Sequence, residues 1–200
     1  VHPRPDERHA KFSDLLPLKK LVSKYENKEF NIEGYPSENF IEKVISVKPH
    51  QVTLVPDPPG ALTSSFGWDC QKNKIFLTDV VKEFHNNKIR VSLFVNPSKE
   101  TLENLDIIAT DRVELYTESY AMRHIKDREQ AVAPFVTAGK LASKLGLGLN
   151  AGHDLNLDNL AFFVEQVPNL LEVSIGHALI SDALYLGLEN TIQLYKRQLQ

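Results

Sequence analysis

The chain has 200 residues, 42% apolar and 24% charged, an ordinary globular composition with enough apolar material for one sizeable core. Its 23 basic and 26 acidic residues give a formal net charge of −3, which argues against a nucleic-acid-binding surface as its main business. A single cysteine, Cys70, excludes a disulfide framework and a cysteine zinc site, and no apolar run approaches the roughly 18 residues that a transmembrane helix needs.

The run Val1-His2-Pro3-Arg4-Pro5-Asp6-Glu7-Arg8-His9 reads as the end of a strand entering a charged loop. It shows neither an initiator Met nor a signal-peptide pattern, so the natural N-terminus is expected to be missing. Short runs rich in β-branched and aromatic residues follow: Phe30-Asn31-Ile32, Gln51-Val52-Thr53-Leu54-Val55-Pro56 and Val91-Ser92-Leu93-Phe94-Val95. Further runs are Val113-Glu114-Leu115-Tyr116, Gly148-Leu149-Asn150-Ala151 and Val173-Ser174-Ile175. Each has the length of a buried strand. Helical spacing intervenes. Phe40, Ile41, Val44 and Ile45 share a face behind Ser37, a capping residue, with Glu38 in the first turn. Leu77, Val80, Val81 and Phe84 repeat the spacing, as do Val132, Phe135 and Val136 running on to Leu141 and Leu145. Leu184, Leu188, Ile192 and Tyr195 form a last stripe.

Regular strand–helix alternation means βα units around a parallel sheet. With Val1 as a strand stub there are seven strands, so a (β/α)8 TIM barrel would lack one βα unit, ahead of Val1. An open doubly wound sheet could hold seven, but neither a Gly-rich dinucleotide fingerprint nor a Walker loop favours it. No Pro/Gly/Ser-rich linker divides the chain, so residues 1–200 are expected to form one domain. The longest irregular stretch, Pro56 to Asp69, has the length of a functional loop.

Barrel active sites sit at the C-terminal ends of the strands. Those ends carry His2 and Arg4, Glu33, the loop with Thr63, Glu114, His153, and the pair Gly176-His177. Histidines and two carboxylates at one mouth would suit proton transfer around a carbonyl, since both kinds of group can be tuned toward neutral pH. Taken singly, a His or Glu after a strand is more often a loop residue or a cap. Glu114 differs because it lies inside an apolar strand, where a carboxylate needs a partner.

Gly152 and Gly176 end two late strands and have two readings. Either they open backbone N–H groups to phosphate at a helix N-terminus, or they only permit tight turns. Arg4, Arg8 and His9 likewise either hold a second anion or pair with Asp6 and Glu7 on a solvated loop. No strand ends in Lys, so an enzyme-bound Schiff base is not expected and an amine would come from substrate. Cys70 has no base beside it in sequence and reads as structural.

Five stretches together resemble the pyridoxine 5′-phosphate synthase family: residues 1–9, Phe30-Asn31-Ile32-Glu33-Gly34, Lys48-Pro49-His50-Gln51-Val52-Thr53-Leu54-Val55-Pro56, Asn150-Ala151-Gly152-His153 and Ile175-Gly176-His177-Ala178. The likeness runs through essentially the whole chain, in order and at matching spacing, but lacks the family's N-terminal strand and helix. It implies condensation of 3-amino-2-oxopropyl phosphate with 1-deoxy-D-xylulose 5-phosphate, without metal or organic cofactor. It also implies a cytoplasmic homo-octamer built from dimers, with no nucleic-acid or membrane partner.

By resemblance, His2 is the general base, Glu33 a second acid–base catalyst, His153 the proton donor and Glu114 the carboxylate that stabilises the transition state. Arg4, His9 and Thr63 match positions binding the deoxyxylulose phosphate. Gly176 and His177 match the turn that binds the aminoketone phosphate, with Asp154 beside it. Many relatives carry Gly at the position of Asp154. A backbone contact would tolerate the change, whereas an inward carboxylate would repel phosphate. Two rivals stand against this reading. One is a metal-dependent barrel aldolase or epimerase using His2, Glu33, Glu114 and His153 as ligands. The other is a sugar-phosphate-binding protein without turnover.

Overall fold

A computed structural model describes every residue except 58, 59, 62 and 104. The chain divides into two compact units: Val1–Asn96 with Glu103–Arg112, and Pro97–Leu102 with Val113–Gln200.

The first unit opens with a loop and a single 3-10 turn, Phe12–Asp14, then α1 (Leu15–Val22), β1 (Asn31–Gly34), α2 (Glu38–Val47), β2 (Gln51–Leu54), α3 (Lys74–Asn86) and β3 (Arg90–Val95). Its strands are parallel and follow chain order, with Glu33 opposite Thr53 and Thr53 opposite Ser92. β2 is buried along its whole length, and β3 everywhere but at Arg90. Burial on both faces is what a parallel strand between covering layers requires, and it explains why these runs are continuously apolar rather than alternating.

The helix readings hold here. Ser37 Oγ accepts from the Phe40 amide at 3.3 Å and caps α2, which buries Phe40 and Val44. α3 buries Leu77, Val80, Val81 and Phe84, the four residues whose spacing marked it. Val1 runs beside β1, its nitrogen donating to the Asn31 carbonyl at 2.9 Å and its carbonyl accepting from Glu33 at 2.8 Å. Val1 thus lies against β1 through main-chain hydrogen bonds without forming a strand of its own, so the described residues hold six strands rather than the seven of the sequence count.

The second unit holds α4 (Lys99–Glu103), β4 (Arg112–Tyr116), α5 (Glu118–His124), α6 (Arg128–Lys144), β5 (Gly148–Gly152), α7 (Leu160–Gln166), β6 (Leu170–Ser174), α8 (His177–Leu186) and α9 (Leu188–Arg197); Glu103 and Arg112 fall in the first unit. β5 and β6 pair in parallel, with an irregularity between Leu149 and Asn150. Tyr120, Phe135 and Phe163 form its aromatic centre, with ring centroids 4.9–6.0 Å apart.

Two sequence readings need adjusting. β6 begins three residues before Val173, the first residue of the run that marked it. The final stripe is not one helix: Gly187, at φ +80°, ends α8 and starts α9. That left-handed φ suits a residue without a side chain. Of the stripe, only Tyr195 is buried, while Leu184 is 81% exposed.

Candidate active site

In the first unit the strand ends gather the expected groups. Because Val1 is hydrogen-bonded along β1, the next residue, His2, is set beside Glu33, and its Nδ1 lies 2.9 Å from Glu33 Oε1. Both side chains are largely but not wholly shielded, at 19% and 16% exposure, so solvent or a ligand can still reach them. An imidazole hydrogen-bonded to a carboxylate is fixed in tautomer and orientation, as proton transfer needs.

His2 also lines a cavity of about 260 Å³ with Arg4, Asp6, Arg8, Tyr35 and Asp57. Arg4 is buried and pairs with buried Asp57, Nη1 to Oδ2 at 2.9 Å. Asp6 pairs with Arg8, whereas Glu7 accepts from the Phe12 amide at 2.8 Å. Asp6 therefore takes Arg8, Glu7 a backbone amide, and Arg4 pairs with an acid 53 residues away. His9 and Thr63 are both exposed on loops. The Pro56–Asp69 loop has neither helix nor strand among its described residues, and residues 58, 59 and 62 lie outside the description. Its far end is pinned: the Trp68 indole donates to the Leu54 carbonyl at 2.9 Å, and its amide to the Phe94 carbonyl at 2.8 Å. Tyr35 stacks on Trp68 with centroids 5.9 Å apart.

The second unit holds the other half of the expected set. Glu114 is 2% exposed in β4, and its Oε1 lies against Gly152 at the end of β5. A Cβ on residue 152 would overlap that oxygen, so any side chain there must displace the carboxylate. Thr117 ties the two strand ends together, its hydroxyl donating to the carbonyls of Gly152, at 2.8 Å, and His153. His153 and Asp154 both adopt left-handed φ, +77° and +56°. The His153 ring meets Tyr116 edge-on, with centroids 5.5 Å apart. Burial, helped by the charges of Glu118 and Asp154, pushes the Tyr116 hydroxyl up to about 12, so it stays protonated at neutral pH. Asp154 has an exposed side chain, while its carbonyl accepts from Asn159 at 3.1 Å. Its backbone lies in the left-handed region, which Asp is among the residues that best tolerate. Gly176 and His177 are exposed at the start of α8, with no side chain capping that helix.

Within each unit, then, the structure joins His2 with Glu33, Arg4 with the cavity that His2 lines, Glu114 with Gly152, and His153 with Tyr116 and Thr117. Asp57 and Tyr35 escaped the sequence reading. Asp57 carried a usable signal, an acid one residue beyond the Gln51–Pro56 run; Tyr35 carried none beyond following Gly34. Cys70 is buried, and desolvation, with the charge of Asp69, pushes its thiol up to about 12, as suits a structural role. Among the described residues, no group of three or more His, Cys, Asp or Glu could hold a metal ion, and no helix is long and apolar enough to cross a membrane.

The chain is similar to known proteins along its whole length. Over 200 residues, all of this chain and 83% of the relative, it is 59% identical to a pyridoxine 5′-phosphate synthase of Bacteroides fragilis. It is 52% identical, over the same shares, to one of Flavobacterium johnsoniae. Among solved structures, a 3-keto-L-gulonate-6-phosphate decarboxylase from Vibrio cholerae superposes with a TM-score of 0.58 at 9% identity, over 92% of this chain and 78% of that one. Likeness at that identity speaks for the fold alone, an α/β fold of the (β/α)8 barrel class. The family model of the pyridoxal phosphate biosynthesis protein PdxJ matches residues 1–200, and the chain belongs to that family.

Proposed function

We propose that this chain closes the pyridine ring of vitamin B6. It condenses 3-amino-2-oxopropyl phosphate with 1-deoxy-D-xylulose 5-phosphate to give pyridoxine 5′-phosphate, inorganic phosphate and water. The observation that carries this reading is the family match along all 200 residues. The His2–Glu33 pair and the Glu114–Gly152 contact support it, because they supply acid–base groups where the chemistry needs them.

The substrate amine attacks the ketone of the sugar phosphate, and loss of water leaves an imine. His2 and Glu33 move the protons that convert the imine to an enamine and expel phosphate. Water addition and ring closure follow, with His153 protonating a departing oxygen and Glu114 stabilising positive charge that develops in the transition state. Each positioned proton transfer contributes about 10²–10⁴-fold. Arg4, His9 and Thr63 bind the sugar phosphate, and Gly176, His177 and Asp154 the aminoketone phosphate. Asp154 acts there through its backbone, its carboxylate being exposed. No metal or organic cofactor takes part. The protein works in the cytoplasm as one domain over residues 1–200, assembled as a homo-octamer built from dimers. Exposed apolar side chains on α8, among them Ile180, Leu184 and Tyr185, support an association surface.

The test is formation of pyridoxine 5′-phosphate from both substrates by the intact protein, before and after exhaustive chelation. Product in both cases is expected. Activity lost on chelation and restored by a divalent ion would replace this reading with the metal-dependent one. His153→Ala is expected to abolish product with circular dichroism unchanged, and turnover within about threefold of the parent would remove His153 from the mechanism.

A further inference from the structure

We infer that Asp57 is a positioning residue for the sugar phosphate, holding the Arg4 guanidinium in the orientation that receives it; the inference rests on the reading of Arg4 as a ligand of that substrate. Arg4 and Asp57 are 7% and 6% exposed, in a loop region where Asp6 is exposed and Glu7 and Arg8 are half-buried. A guanidinium at the end of a long flexible side chain has many orientations, and its planar fork binds an anion well in only a few. Here one nitrogen is fixed. Nη1 donates to Asp57 Oδ2 at 2.9 Å and to the Ala61 carbonyl at 3.3 Å. Both hydrogens of Nη1 are thereby engaged, and the Nη2–Nε edge is the one left for bidentate contact with an anion.

Asp57 is itself held. The Ser64 hydroxyl donates to the same Oδ2 at 2.7 Å, and Ser64 is 1% exposed. Arg8 Nη2 donates to the Ala61 carbonyl at 2.6 Å, so the second acceptor for Arg4 is also fixed from outside. A carboxylate beside a phosphate site would ordinarily repel the substrate. This one is engaged by a cation and a hydroxyl, so it supplies geometry at little electrostatic cost. Asp57 touches no reacting atom in this account and acts only through Arg4.

The test is steady-state kinetics on the intact protein with each substrate varied separately. Asp57→Ala is expected to raise KM for 1-deoxy-D-xylulose 5-phosphate about tenfold or more, while KM for 3-amino-2-oxopropyl phosphate stays within about twofold. Asp57→Asn keeps an acceptor oxygen in place and should stay within about threefold of the parent. A merely structural residue would move both constants alike, and that result overturns the inference, as does a sugar-phosphate KM that falls or does not change. Should Asp57→Ala fail to fold, Ser64→Ala decides. It frees one anchor of Asp57 while keeping the ion pair, and a rise of about threefold confined to the sugar phosphate is expected; no change overturns the inference. Arg4→Ala separates the two levels. An unchanged sugar-phosphate KM there removes the ligand reading and this inference together, whereas a raised KM in Arg4→Ala with an unchanged one in Asp57→Ala removes this inference alone.

Discussion

The His2 imidazole and the Glu33 carboxylate meet at 2.9 Å because one residue of backbone pairing, Val1 against Asn31 and Glu33, fixes where the next side chain stands. A contact set by main-chain hydrogen bonds survives changes of side chain, so Glu33 can be altered with little disturbance of the strand. Glu33→Gln keeps size and hydrogen bonding but cannot exchange a proton at neutral pH. It is expected to lower kcat and kcat/KM together by about 10²-fold or more, with KM for either substrate nearly constant. Initial rates over a matrix of both substrates check this. A change confined to KM would make Glu33 a binding residue and take it out of the proton transfers.

At the scale of elements, β4 and β5 depend on one another through a missing side chain. Glu114 Oε1 occupies the space that a Cβ at position 152 would fill, and Thr117 joins the two strand ends just above. Gly152→Ala must displace the carboxylate or spread the strands. Over-packing of this kind costs about 1–3 kcal/mol. Chemical denaturation should show that loss, and product formation should fall further than stability does, because the displaced group is the one assigned to the transition state. A variant as stable and active as the parent would mean that Glu114 moves aside freely and has no fixed catalytic position. Elements differed in how plainly the sequence announced them. α3 buries four side chains at i, i+3, i+4 and i+7, and its periodicity was plain. α5 and α7 have seven residues each and bury only Tyr120, and Leu160 with Phe163, too few for a period to show.

For the molecule as a whole, one half-buried histidine couples stability to pH. His50 sits just before β2, and its Nδ1 accepts from the Phe30 amide at 2.7 Å, which requires the neutral ring. Burial first, then the charge of Lys19, hold its pKa below the ordinary 6.5, with Glu29 opposing and Arg90 adding. The unfolded chain therefore binds more protons in this window, and unfolding free energy rises with pH across it. The contribution is fully present above 6.5 and is lost as pH falls through the depressed folded value. Glu29, held below its ordinary 4.5 by the Arg90 hydrogen bond against a smaller desolvation penalty, adds a second loss at more acid pH. Midpoints of thermal unfolding between about pH 8 and pH 5 should fall toward acid. In His50→Asn, which keeps an acceptor but not the titration, the slope just below neutrality should flatten. An unchanged slope would assign the acid sensitivity to other groups.

The sequence by itself determined the βα alternation, the parallel sheet, the six strands that form and most of the residues at their ends. Those features follow from local periodicity and from chemistry that recurs at strand ends, both of which survive projection onto one dimension. It also carried the family, because five separated stretches matched in order. Tertiary structure alone decided which charges pair. Arg4 lies beside Asp6 and Glu7 in sequence, yet it takes Asp57, since burial rewards the acid that reaches its guanidinium away from water. It likewise decided that the last apolar stripe is two helices, because the backbone turns at Gly187, where a left-handed φ stops the helix and leaves Leu184 in solvent. Pairing partners and exposure are properties of distance in space, and a linear pattern records distance only along the chain.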